Sequence, residues 1–408
     1  MTISARNYVI AGAVVIAAIM GVIALMPRQV SPDWIACTNK DKGPPDLAIG
    51  GCTNVIGSGK DSTKNLAIAF SNRCNAYNGK TEFDRAMQDC EQAIVLDPDL
   101  ALAFLNRGIS YQGKRQYDKA IESFDQAIKL DRNFAGSFSA RGAIYQVKGQ
   151  VDRAIQNFDE AIKLNPQDAF ALNNRCKAYN DKNEFDRAMQ DCEQAIKLAP
   201  NYALPFLNRG VSYQGKHQYD KALEDFDQTI KLDPNYANSF LDRGAIYHVK
   251  RQYDRAIQDY DQAIRLNPDN ADAFNNRGRA FADMDQFDRA IQDYDRAIKI
   301  NPNSIFAFFN RGVAYGSKNQ HDRAIQDFDQ AIKLNPNQVI LFRLRAFAYI
   351  KKGAYDRAIQ DYDQAIKLDP NHALSFANRG AVKEIMGDKA GAEADWAEAR
   401  RINPNIGR

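Results

Sequence analysis

Histidine and cysteine are the residues best suited to binding metals, moving protons or attacking a carbonyl, and this chain has little of either. Its four histidines, His217, His248, His321 and His372, are scattered, and no two have the spacing of a metal-ligand pair. That leaves little material for acid-base catalysis. Gly57-Ser58-Gly59-Lys60 touches the pattern of a phosphate-binding loop, but Asn54 stands where that loop requires Gly and Asp61 where it requires Ser or Thr. There is no Gly-x-Ser-x-Gly elbow and no Cys/His nucleophile arrangement. The sequence therefore predicts no enzyme, no cofactor and no metal. The six cysteines do follow a pattern, falling as Cys37 and Cys52, Cys74 and Cys90, and Cys176 and Cys192.

The elements that must position these residues announce themselves by a period. Arg73, Arg107, Arg141, Arg175, Arg209, Arg243, Arg277, Arg311, Arg345 and Arg379 follow one another at steps of 34 residues. Proline keeps the same register from Pro98 to Pro404, interrupted once by Arg132. A fixed period of this length marks a stacked array of small units. In one unit, Ala237 to Asn270, Phe240, Gly244 and Tyr247 fall at helical spacing. A polar turn, Lys250-Arg251-Gln252, separates them from a second stripe of Ala256, Tyr260 and Ala263. Asn267-Pro268 closes the unit, because the residue before proline is pushed out of the α region. A helix pair this short cannot bury its apolar stripes alone, so each unit needs neighbours.

This pattern of bulky residue, Gly, Tyr, Ala, aromatic, Ala and Pro resembles the tetratricopeptide repeat. Phe usually stands for the family's leading Trp, and Arg for its Leu before Gly. The resemblance implies an all-α fold, a right-handed α-solenoid of about ten helix-turn-helix repeats. Its units are 67–100, 101–134, 135–168, 169–202, 203–236, 237–270, 271–304, 305–338, 339–372 and 373–404, within an array spanning 65–404. A degenerate half-repeat is expected at 46–64, where Ala48, Cys52 and Val55 keep the spacing of a second helix. A tail, 405–408, follows. A higher order is visible too: Glu82 to Cys90 returns unchanged as Glu184 to Cys192, and Phe83, Phe185 and Phe287 recur 102 residues apart. We read a three-unit block present three times and one terminal unit. In that last unit Glu393 and Arg400 replace apolar residues, as an end cap requires.

The resemblance also gives the cysteines and the polar slots a meaning. Cys74 with Cys90, and Cys176 with Cys192, occupy the Gly and aromatic slots that face each other in a tetratricopeptide hairpin. Disulfides there, with a third between Cys37 and Cys52, fit an oxidising compartment; buried free thiols copied by duplication are the other reading. The first helices of such arrays line a concave groove for protein or peptide partners. Asn72, Asn106, Asn174, Asn208, Asn276, Asn310 and Asn378 share one slot, broken at Ala140, Asp242 and Leu344. These asparagines are similar to the ladder with which O-linked N-acetylglucosamine transferases hold a peptide backbone; a solvated inner face is the alternative. Leu105, Leu207, Phe306, Phe309, Val313 and Phe347 are expected beside them as apolar contacts. The ten arginines read as structural ion pairs with aspartates such as Asp125, Asp159, Asp261 and Asp295, or else as ligand-binding residues.

The N-terminus is of another kind. Tyr8 to Met26 form an uncharged apolar run that would span roughly 28 Å as a helix, close to the hydrocarbon thickness of a bilayer. Its length favours an uncleaved transmembrane anchor, 8–26, over a cleavable signal peptide. Residues 1–7 precede it and a linker, 27–45, follows. The net charge of +3, with both signs mixed throughout, disfavours a nucleic-acid partner. The expectation is a single-pass membrane protein whose array lies on the periplasmic or extracytoplasmic side. It would serve as a non-catalytic scaffold or adaptor. Alternatives are a self-assembling structural protein of the envelope and, further off, an enzyme or regulator with an unrecognised site. Its oligomeric state is not encoded in any feature of the sequence.

Overall fold

A computed structural model describes residues 31–38 and 43–406. The expected anchor, 8–26, lies outside the described residues, as do 1–7 and the end of the tail. Among the described residues no helix is long and apolar enough to cross a membrane.

Helices alone make up the described chain, and they fall into two compact units that divide after Leu232. The first contains α1 (Pro32–Thr38), α2 (Pro45–Ser58), α3 (Thr63–Gly79), α4 (Phe83–Leu96), α5 (Ala101–Gly113), α6 (Tyr117–Leu130), α7 (Ala135–Val147), α8 (Val151–Leu164), α9 (Ala169–Asp181), α10 (Phe185–Leu198), α11 (Ala203–Gly215) and α12 (Tyr219–Leu232). The second contains α13 (Ala237–Val249), α14 (Tyr253–Leu266), α15 (Ala271–Asp283), α16 (Phe287–Ile300), α17 (Ile305–Ser317), α18 (His321–Leu334), α19 (Val339–Lys351), α20 (Tyr355–Leu368), α21 (Ala373–Ile385) and α22 (Lys389–Ile402). From α3 onward each odd helix and its successor form one hairpin, so the expected repeat boundaries match the helix starts from Ala101 on.

Each hairpin is closed by the same few contacts. The turn between its helices needs a left-handed residue, which is Gly149, Gly353 or Gly387 in three repeats and a non-glycine such as Arg115 or Asn319 in others. Within the pair, a small first-helix residue receives an aromatic ring from the second. A Cβ added to Gly278 would sit 2.7 Å from the Tyr294 ring, so a larger residue there requires the ring to shift, as where Ala346 packs with Tyr362. Fully burying such a ring stabilises by about 1.5–3 kcal/mol, and the contact recurs in Gly108 with Phe124 and Gly312 with Phe328. Across repeats, first helices pack on neighbouring first helices, as α3 on α5 and α15 on α17, while second helices pack against the first helices beside them. The first helices therefore form the inner row of each unit.

The ends correct two expectations. Residues assigned to the 27–45 linker include α1, and what was expected as a half-repeat is a shortened hairpin of α1 on α2. Cys37, Cys52, Val55 and Ala69 are buried together there with Trp34 against them. A seven-residue helix carries too few turns to show a period, which is why the pattern missed it. At the other end Trp396 plugs Gly380 and donates to the Ala377 carbonyl at 3.2 Å. Glu393 and Arg400 stay exposed and face each other at 3.8 Å.

Candidate functional site

The repeating arginine is the strut of the scaffold. Arg277, extended from α15, gives Nε and one terminal nitrogen to the Asp293 carboxylate at 2.8 and 2.6 Å, and its other terminal nitrogen to Asp261 of the preceding repeat. Arg175, Arg311, Arg345 and Arg379 are held the same way. Hydrogen bonding to Asp293 raises Arg277 above its ordinary value against the cost of burial, so the guanidinium stays charged. Burial pushes Asp395 upward too, but Arg379 and Lys383 together bring it below the ordinary carboxylate range. The buried aspartates, Asp89, Asp191, Asp225, Asp259, Asp293, Asp327, Asp361 and Asp395, escaped the sequence reading, although each lies 16 residues after its arginine. Arg107 and Arg141 differ, meeting Ser123 and Asn157 in that place. These cations are engaged by the fold, as the structural reading expected.

All six cysteines are paired, as Cys37–Cys52, Cys74–Cys90 and Cys176–Cys192, and all lie in the first unit. In the two full repeats the sulfurs occupy the space that a ring fills elsewhere.

The asparagine slot divides. Asn106 is buried and donates to the Ser71 carbonyl and hydroxyl at 3.0 and 3.1 Å. Asn208 is buried and donates to Asn173 Oδ1 at 2.8 Å, and Asn310 to Asn275 Oδ1 at 2.9 Å. These three clamp the first joint of each three-unit block, so they are seam residues and are withdrawn from the expected groove. Leu105 and Leu207, only 4% and 6% exposed, are withdrawn as well. The asparagines face the preceding first helix, whereas Leu105 packs toward the following repeat against Ala140 and Ile144, so both slots lie in seams between repeats. Asn72, Asn276 and Asn378 are half-buried, Asn378 bonding to Tyr362. The Asn174 amide nitrogen is buried without an acceptor.

The apolar set behaves otherwise. Phe306, Val313 and Phe347 are 73%, 40% and 53% exposed, with Ile340 at 38% beside them and Phe309 half-buried. All five stand on α17 and α19, inner helices of the second unit. Next to them is a cleft of roughly 130 Å³ lined by Arg279, Ala282, Asp283, Phe287, Tyr294, Asn310, Val313 and Ala314. At the matching joint of the first unit, Asn78 and Ser110 close that space. Asn78 donates to the Asn106 carbonyl at 2.9 Å and accepts from Ser110 at 2.8 Å. Asn180 and Ser212 repeat the arrangement. Alanines at 282 and 314 remove it, and the sequence reading did not compare those slots.

Family models described as TPR repeat and tetratricopeptide repeat together match residues 101–338 and 346–387. The chain belongs to the tetratricopeptide-repeat family. No curated protein matches it. Among solved structures, a tetratricopeptide repeat protein from Parabacteroides merdae shares the fold at TM-score 0.50 and 16% identity, over 61% of this chain and 98% of that one. YrrB, described as a TPR protein with an unusual peptide-binding site, aligns at 25% identity over 45% of this chain and 95% of its own, with TM-score 0.39. The anaphase-promoting-complex hetero-tetramer Cut9–Hcn1 aligns at 13% identity and TM-score 0.49, over 90% and 92% of the two chains.

Proposed function

We propose that this tetratricopeptide-repeat chain is a non-catalytic scaffold that holds an extended segment of a partner protein on the inner helices of its second unit. The observation that carries this reading is the set of exposed apolar side chains on α17 and α19, Phe306, Val313, Ile340 and Phe347. Apolar patches of this kind on a concave row are typical anchoring surfaces, and binding energy concentrates in a few aromatic side chains. Residues 8–26 would tether the scaffold to a membrane, with the array on the extracytoplasmic side. The pairing of every cysteine supports that compartment, because structural disulfides persist where the environment is oxidising.

A photo-crosslinking residue placed in the full chain at Phe306 or Phe347 should capture a partner in cells. The same residue at Val95, 73% exposed on a second helix, should not. Equal capture at both places removes the reading.

A further inference from the structure

One side chain of the second unit has no counterpart in the rest of the array. Arg343 stands on α19 where the other repeats carry Ser71, Leu105, Asn173, Leu207, Asn275 and Phe309, all neutral. The repeating arginines each sit on hydrogen-bond acceptors of the fold, but the Nε of Arg343 is shut away from solvent with no acceptor among the described residues. Two carboxylates, Asp361 and Asp369, act on the same neighbouring groups as Arg343, but neither is within ion-pair distance of it. The Tyr362 phenol and the His372 ring lie within its field, and Asn378 is bonded to Tyr362. Burial first, and then Arg343, hold His372 below its ordinary value, so that ring is the neutral cap of α21, accepting from the Ser375 amide. A guanidinium partly removed from water and given no counterion is costly to the fold. Every strut arginine, Arg107 on the Ser123 hydroxyl included, has an acceptor for its Nε within the fold, and among the described residues Arg343 does not.

We infer that Arg343 receives a carboxylate from a bound segment, which makes this face selective for an acidic side chain set between bulky apolar ones. The inference rests on the peptide-holding role proposed above and names the chemistry of its partner. The carboxylate is an internal Asp or Glu and not a chain end, because apolar anchors stand on both sides of Arg343. Phe306 stands on the preceding first helix, Ile340 one turn before Arg343 on α19 itself, and Leu374, 41% exposed, on the following first helix α21. A segment contacting both flanks runs past the guanidinium. A planar fork on a carboxylate also fixes the register of the segment, which apolar contacts alone leave loose.

The test selects a phage-displayed library of short random peptides on the full chain, then measures one enriched synthetic peptide, amidated at its C-terminus, by fluorescence anisotropy. Enriched peptides should carry Asp or Glu next to an aromatic or aliphatic residue. Arg343→Gln should weaken that peptide about tenfold or more, Arg343→Lys should restore part of the loss, and the peptide's own Glu→Gln should cost no further affinity in Arg343→Gln. Phe347→Ala should weaken binding of the acidic and the neutral peptide alike. Enrichment without acidic residues, or equal affinity of the native chain and Arg343→Gln, overturns the inference and leaves the docking face standing. No enrichment at all, or light scattering that shows a second copy of the chain occupying the face, overturns both.

Discussion

The joint between α3 and α5 and the joint between α15 and α17 are built on the same backbone plan and finished in opposite ways. In the first, Asn78, Asn106 and Ser110 form a buried hydrogen-bonded seam, and the Cys74–Cys90 bridge replaces the ring between the helices of the repeat. In the second, the Asn310 clamp survives, but Ala282 and Ala314 leave a cleft and Gly278 receives an ordinary tyrosine ring. The asparagine clamp is common to both joints, whereas the buried amide–hydroxyl pair and the bridge are present only at the first. One unit is thereby braced, and the other keeps an open, partly apolar face.

The largest test of this contrast is reduction. Each bridge closes a loop of 15 or 16 residues, worth about 3 kcal/mol in the chain-entropy model. A reductant, or paired Cys→Ala substitutions, should therefore lower hydrogen-exchange protection throughout α1–α12 and leave α13–α22 unchanged. Loss of protection spread evenly over both units would erase the distinction.

Asp242 gives a smaller effect. It replaces asparagine in the clamp slot, and burial pushes its carboxyl up to about 7. A raised folded value means that its favourable contribution is complete below the unfolded value near 4 and disappears as pH rises to 7. Asp242→Asn should therefore be more stable than the native chain at pH 8, by about 2 kcal/mol after allowance for its partial exposure, and the gap should close by pH 4. Denaturant unfolding at several pH values reads this directly; a gap independent of pH would contradict it.

The smallest change in stability sharpens the comparison most. Ala282→Asn with Ala314→Ser installs the braced seam of the first unit in the second. It should add about 1 kcal/mol and fill the cleft, while capture through Phe306 falls. A variant that gains stability and still captures fully would show that the cleft has no part in docking.

The 34-residue period, the hairpin boundaries and the polar end cap were legible in the sequence, because each depends on local patterns repeated many times. The same repetition made the asparagine slot misleading. Asn106 and Asn276 look equivalent on paper, but whether such an amide is exposed depends on the residue one slot earlier in the preceding repeat, Ser71 in one case and Leu241 in the other. Leu105 and Phe309 share a slot, yet the first is buried against Ala140 and Ile144 and the second is only half-buried. Arg343 was visible as a charge in a neutral slot, but only its missing acceptor gives that departure a meaning.

The central claim is that partners dock on the inner helices of the second unit. Hydrogen exchange of the full chain with and without a selected peptide tests it most directly. The account predicts new protection on the peptide-facing turns of α17 and α19, at residues 305–317 and 339–351. Protection confined to α5–α11, or no change on α17 and α19 at saturating peptide, would contradict it.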